Sequence, residues 1–177
     1  MSATTSLRKD HEIIEKVLKA LEVTVSLFKE GNDINIDIMR DTADFITNFI
    51  DRCHHGKEEE GLFPALNECG LPKEQGPIAV MLMEHEEGRR LANMLSKAIE
   101  DYSKDPKYKD EIIKIAESYI ALITHHIWKE NNILFNLADM LLSDKAESIN
   151  KRLDDIEEKK ISKDEHEEYI KFVNKLG

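Results

Sequence analysis

Residues 54–63 read HHGKEEEGLF, and residues 126–135 read HIWKENNILF. Aligned without a gap, the two stretches pair His54 with His126, Lys57 with Lys129, Glu58 with Glu130, Leu62 with Leu134 and Phe63 with Phe135. A shorter echo joins Asp10-His11-Glu12 to Glu84-His85-Glu86. In chain order the pattern is a lone histidine, a His-Glu pair, a lone histidine and a second His-Glu pair. Residues four apart stack on one face of a helix, so each pair can present a nitrogen and an oxygen in one direction.

The flanking sequence makes those stretches helical. Breakers at Gly31-Asn32-Asp33, at Gly70-Leu71-Pro72 and from Ser103 to Pro106 divide the first 142 residues into four long helices, roughly 4–30, 34–68, 77–103 and 106–142. Asp105-Pro106 reads as an N-cap followed by proline at the first helical position. Each helix carries an apolar seam at alternating steps of three and four, the spacing that keeps one stripe on a bundle core. The seams are Leu7, His11, Ile14, Leu18, Leu21, Val25, Phe28 on the first helix and Thr47, Ile50, His54, Glu58, Gly61, Ala65 on the second. On the third and fourth they are Ile78, Met81, His85, Gly88, Ala92, Leu95, Ile99, and Tyr119, Leu122, His126, Glu130, Ile133, Leu137. Weaker helical signals run from Ser143 to about Lys159, and the capping-box pattern Ser162 to Glu165 opens a short amphipathic helix ending at Gly177. The expected fold is all-α: an antiparallel up-and-down four-helix bundle over residues 1–142, with a C-terminal helical extension, 143–177, packing on it as part of the same domain.

Composition bounds the function. A chain of 177 residues suits one well-buried domain, and only 7 glycines and 4 prolines favour helices over a turn-rich sheet. The net charge of −11, with no basic face in sight, argues against nucleic acid and anionic membranes as partners. The longest apolar stretch, Ile78 to Met83, is far too short to span a bilayer, and the N-terminus lacks a signal-peptide run. Two cysteines, Cys53 and Cys69, make neither a disulfide framework nor a zinc spacing, so they read as packing residues in a reducing cytoplasm.

Every seam is interrupted by a histidine, and two also by a glutamate. Buried ionisable groups are costly unless paired or bound to a cation, so His11, His54, Glu58, His85, His126 and Glu130 call for a common partner. A carboxylate can bridge two cations and a neutral imidazole serves one, so two glutamates and four histidines describe a dinuclear metal centre. His55 and His125 flank the seam histidines and lie about 100° around the helix; the Leu-Phe register favours His54 over His55. Glu59, Glu60, Lys57, Lys129 and His166 read as solvated. Leu62, Phe63, Trp128, Leu134 and Phe135 read as core residues that limit water near the centre. Glu15, four after His11, is a candidate extra ligand beside the simpler reading of a surface acid. A metal-free bundle with hydrogen-bonded core histidines is the competing structural reading; a ferritin-like site would need Glu-x-x-His on two seams, and neither is present.

With H-x-x-K-E-x-x-x-L-F occurring twice and lone histidines at His11 and His85, the sequence resembles the hemerythrin-like, or HHE cation-binding, family. That resemblance spans the four long helices. It implies a non-heme di-iron centre, two Fe ions sharing an oxo or hydroxo bridge, with the six residues on ligand positions. Histidine and carboxylate also suit manganese and zinc. Oxygen-carrying hemerythrins use five histidines, a pair of them four apart on one helix, whereas Met81 and Arg89 stand four residues either side of His85. The set is more similar to the iron–sulfur-cluster repair branch, whose amino-terminal cysteine-bearing segment this sequence lacks. The expected function is binding or reduction of a small molecule such as O2, NO or peroxide; the alternatives are iron or oxygen storage, donation or sensing without turnover, and a cluster-repair role.

Overall fold

A computed structural model describes residues 1–176, and the expected last residue of the final helix, Gly177, lies outside them. Six helices and no strand are present among the described residues. We number them α1 (Thr5–Lys29), α2 (36–68), α3 (Gly76–Lys104), α4 (109–141), α5 (Ala146–Lys160) and α6 (Lys163–Leu176). None of them is long and apolar enough to cross a membrane.

The ends follow local chemistry. Gly31 and Gly70 adopt φ of +94° and +95°, the left-handed turn that satisfies the last carbonyls of α1 and α2. The Asn35 side chain accepts from the Asp37 and Ile38 amides to start α2, and Asp105 accepts from Lys107 N–H ahead of α4. The Ser162/Glu165 capping box forms in both directions at the head of α6.

Helices α2 and α4 are not regular throughout. Each widens into a π-helical turn over five residues, Glu58–Leu62 and Glu130–Leu134, and α2 has a longer π segment at Ile46–His55. The sequence echo therefore extends to the backbone: both five-residue turns open at the glutamate and close at the leucine before the phenylalanine. Pro64, which has no N–H to give, follows the first of them without breaking the helix. A π turn adds a residue to the helical period and is frequent at functional sites.

The expected seams of α1 and α3 are buried at every position. On α4 the added residue shifts the buried face, so that Leu134, Phe135 and Ala138 point inward while Ile133 is 51% exposed. Thr47 is exposed on α2, and Ile46, Phe49 and Ile50 are buried in its region. Trp128, expected in the core, is 59% exposed. His166, expected in solvent, is half-buried with its ring 5.7 Å from that of Phe49.

The apolar core falls into two clusters. On α1 the larger begins at Ile14 and the smaller contains Leu7; on α4 the larger ends at Ile127 and the smaller begins at Leu134. The histidines and glutamates fill the layer between.

Candidate metal centre

Helices α1 to α4 send seven buried side chains into that layer: His11, His54, His55, Glu58, His85, His126 and Glu130, each no more than 3% exposed. They form two groups whose ligand atoms lie within 4.8 Å of one another, His11-His54-Glu58-Glu130 and His55-Glu58-His85-His126, with Glu58 common to both. Glu130 also reaches both halves, through Oε2 at 3.0 Å from His11 Nε2 and Oε1 at 2.9 Å from His126 Nε2. Glu58 Oε1 lies 3.4 Å from the Nε2 atoms of His54 and His85.

Each imidazole is held from behind at Nδ1. The acceptors are Asn131 Oδ1 for His11 (2.7 Å), Asp10 Oδ2 for His54 (3.0 Å), Glu59 Oε2 for His85 (2.7 Å) and Glu84 Oε1 for His126 (3.0 Å); Asp51 Oδ1 stands 3.4 Å from His55 Nδ1. A neutral imidazole carries one N–H, and an oxygen at Nδ1 draws it there, leaving Nε2 as a bare lone pair. Those Nε2 atoms converge, at 3.2 Å between His11 and His54 and 3.2 Å between His85 and His126. Phe135 stacks on His11 and Phe63 on His85, walling the layer against the smaller apolar cluster.

Lone pairs meeting at that distance, beside carboxylates, repel unless a positive charge lies among them. All four oxygens of Glu58 and Glu130 are buried without a hydrogen-bond partner among the described residues. Such atoms are costly in a protein interior, and a cation in each group satisfies them. Left to protein groups alone, the cluster must retain protons. Burial, then the neighbouring Glu130, pushes the Glu58 carboxyl up to about 8. Burial opposes charge on His85 and His126, yet carboxylate contacts outweigh it: Glu58 and Glu59 hold His85 at about 9, and Glu130 with Glu84 holds His126 at about 10. Burial pulls His54 down to about 4 despite Asp10, and carries His55 well below its usual value with the nearby imidazoles adding to the effect.

The structure brings together all six residues singled out from the sequence and adds His55, which the register ranked below His54. Successive residues on a helix point about 100° apart, and the centre is wide enough for His54 to enter one half and His55 the other. The ring of His55 stacks on that of His85 at 3.8 Å. His125 is exposed and takes no part, and Glu15 is an exposed surface acid. Two further expectations fail. Lys57 is completely buried, and Glu59 is only half-buried, bonded to His85 and to Arg89. Lys129 is partly buried and paired with Glu84, while Glu60 is exposed and pairs with Lys160. Cys53 is buried, and both cysteines are free.

The Hemerythrin HHE cation binding domain matches residues 2–138. The chain belongs to this family. The seven residues of the HHE layer all fall within the matched span, whereas α5 and α6 lie beyond it. Similar curated proteins are uncharacterized proteins of Mycobacterium bovis and Mycobacterium tuberculosis, 21% identical over 136 residues. The alignment covers 76% of this HHE chain and 52% of theirs, so the chain spans about half the length of the curated relatives it matches. No solved structure matches.

Proposed function

We propose that the protein is a non-heme di-iron protein whose four long helices form an up-and-down bundle around a centre that binds or reduces a small molecule such as O2, NO or peroxide. The observation that carries the reading is the pair of glutamates, all of whose oxygens are buried and unpartnered between two groups of imidazole lone pairs. Glu58 and Glu130 would bridge the ions. His11 and His54 would serve one, and His55, His85 and His126 the other. Bound iron supplies redox chemistry and Lewis acidity; manganese or zinc would fit the same donors.

The protein's own groups prepare and protect that chemistry. Asp10, Glu84, Glu59 and Asn131 fix the imidazole tautomers, and Phe63 and Phe135 keep water from the layer on one side. The half with two histidines offers fewer protein donors than the half with three, which leaves it the more room for a small ligand. The two free cysteines support a reducing compartment such as the cytoplasm.

Iron-replete protein purified without oxygen is expected to hold two ions per chain, one for each group, and to gain a bridged di-iron absorption on oxidation. A single ion, or no such band, refutes the reading. Turnover of NO or peroxide that disappears in Glu58→Ala separates an enzyme from a storage or sensing protein.

A further inference from the structure

Helix α5, outside the residues the family matches, lies directly behind the ligand-bearing stretch of α2. Two glycines make that approach possible. A Cβ on Gly61 would meet Leu153 Cδ2 at 2.6 Å and Ile156 Cδ1 at 3.0 Å, and one on Gly56 would touch Lys160 Cε at 3.4 Å. Between the glycines Lys57 is fully buried, and its ammonium has three partners for three N–H groups: Glu157 Oε1 on α5 at 2.9 Å, Asp10 Oδ2 at 2.6 Å and Ser6 Oγ at 3.2 Å. The same Asp10 oxygen accepts from His54 Nδ1 at 3.0 Å. A polar chain, Glu157–Lys57–Asp10–His54, therefore runs unbroken from the C-terminal helix to one imidazole of the centre.

The other half contains the same sequence of groups, His126–Glu84–Lys129, but not its anchor. Lys129 is 34% exposed, and its bond to Glu84 is its one ion pair among the described residues. The pseudo-symmetric motif is thus anchored to α5 on one side only.

We infer that Lys57 and Glu157 are positioning residues through which α5 sets the Asp10 carboxylate, and with it the tautomer and aim of His54, so that the C-terminal helix governs metal binding in the His11-His54 half of the centre and not in the other. The inference rests on the metal reading above. An ammonium that loses Glu157 keeps one carboxylate partner and one hydroxyl, and its pull on Asp10 changes while the contacts of His85 and His126 do not.

The test uses the full chain, stripped of metal and titrated with Co(II), with calorimetry and cobalt absorption reading the two sites. In Glu157→Gln and Lys57→Met one of two cobalt ions binds about 10- to 100-fold more weakly, the usual cost of removing a group that orients a ligand, and the other is unaltered. Glu157→Asp restores most of the loss. Asp155→Asn, which breaks the exposed pair with Lys151 on the same helix, binds as wild type. Adding His55→Ala to Glu157→Gln removes the tight ion and leaves the weak one, which assigns the sites. Equal weakening of both ions, or wild-type constants in Glu157→Gln, overturns the inference alone. A wild-type chain that binds fewer than two cobalt ions overturns the metal reading and this inference with it.

Discussion

Replacing Glu58 by glutamine should stabilise the metal-stripped protein and destabilise the metal-loaded one. In the stripped protein the Glu58 carboxyl, fully buried beside Glu130, titrates at about 8 instead of its ordinary 4.5. Raised above its unfolded value, this acid keeps its proton in the fold after the unfolded chain has released it, so the fold loses stability as pH climbs from 4.5 towards 8. At 1.36 kcal/mol per pH unit, the penalty reached at pH 7 is about 3 kcal/mol. Glutamine resembles the protonated acid: its amide can donate to Glu130, and it has no charge to desolvate. Wild type and Glu58→Gln are therefore expected to melt nearly together at pH 4.5 in chelator. At pH 7 the variant should lead by about 10 °C, taking roughly 2–4 °C per kcal/mol for a chain of this size. With two equivalents of Co(II) or Zn(II) the order reverses, because a neutral amide cannot replace a bridging carboxylate. Differential scanning calorimetry in chelator and in metal reads both arms. A variant melting at or below wild type in chelator at pH 7 refutes the electrostatic account of the layer.

Two other outcomes follow from the same geometry. His55→Ala is expected to bind one metal ion tightly where wild type binds two, while His125→Ala, altered at an exposed position, keeps both; elemental analysis after gel filtration distinguishes them. Metal binding at pH 7 should release at least three protons, one from Glu58 and one each from His85 and His126, the two imidazoles whose raised values of about 9 and 10 keep them protonated in the stripped protein. Their protons favour the metal-free fold fully below about 6.5, and that contribution is lost as pH rises through 9 to 10, so metal affinity climbs over the same window. Calorimetry in buffers of different ionisation enthalpy counts the protons, and zero release contradicts the assignment.

His11 and His85 were legible because α1 and α3 keep a plain α-helical period, along which every expected seam residue is buried, whereas His54, Glu58, His126 and Glu130 were legible from the repeated H-x-x-K-E motif rather than from the period of α2 and α4. It misled where the helices widen. The π turns at Glu58–Leu62 and Glu130–Leu134 insert a residue that no periodic count of threes and fours contains, so Ile133 was expected inside. The Leu-Phe register favours His54 over His55 because it refers both to a single axis, whereas two half-sites accept neighbouring side chains. Lys57 looked solvated because its partner Glu157 lies 100 residues away, on a helix whose placement no local pattern encodes. The surplus acids were a usable signal: a lysine and three glutamates between two glycines are more than a solvated helix face needs.

The echo between the two halves also accounts for where they differ. Glu59 and Asn131 occupy matching positions one residue after the paired glutamates, and they hold matching histidines, His85 and His11, at the same 2.7 Å. One acceptor is charged and the other neutral. The charged one is answered by Arg89, four residues after His85, whose guanidinium bonds both Glu59 and Asp51, and Asp51 in turn stands against His55. The matching position four after His11 is Glu15, which is exposed and answers nothing. The His55-His85-His126 half thus has three imidazoles backed by carboxylates, which raise the electron-donating power of their rings, while His11 is backed by an amide. Two ions seated in these halves would meet unequal fields despite the repeated motif. That inequality favours different roles for them, a more strongly held ion beside the three histidines and a more accessible one beside His11 and His54, the half whose stability the C-terminal helix would then have to supply.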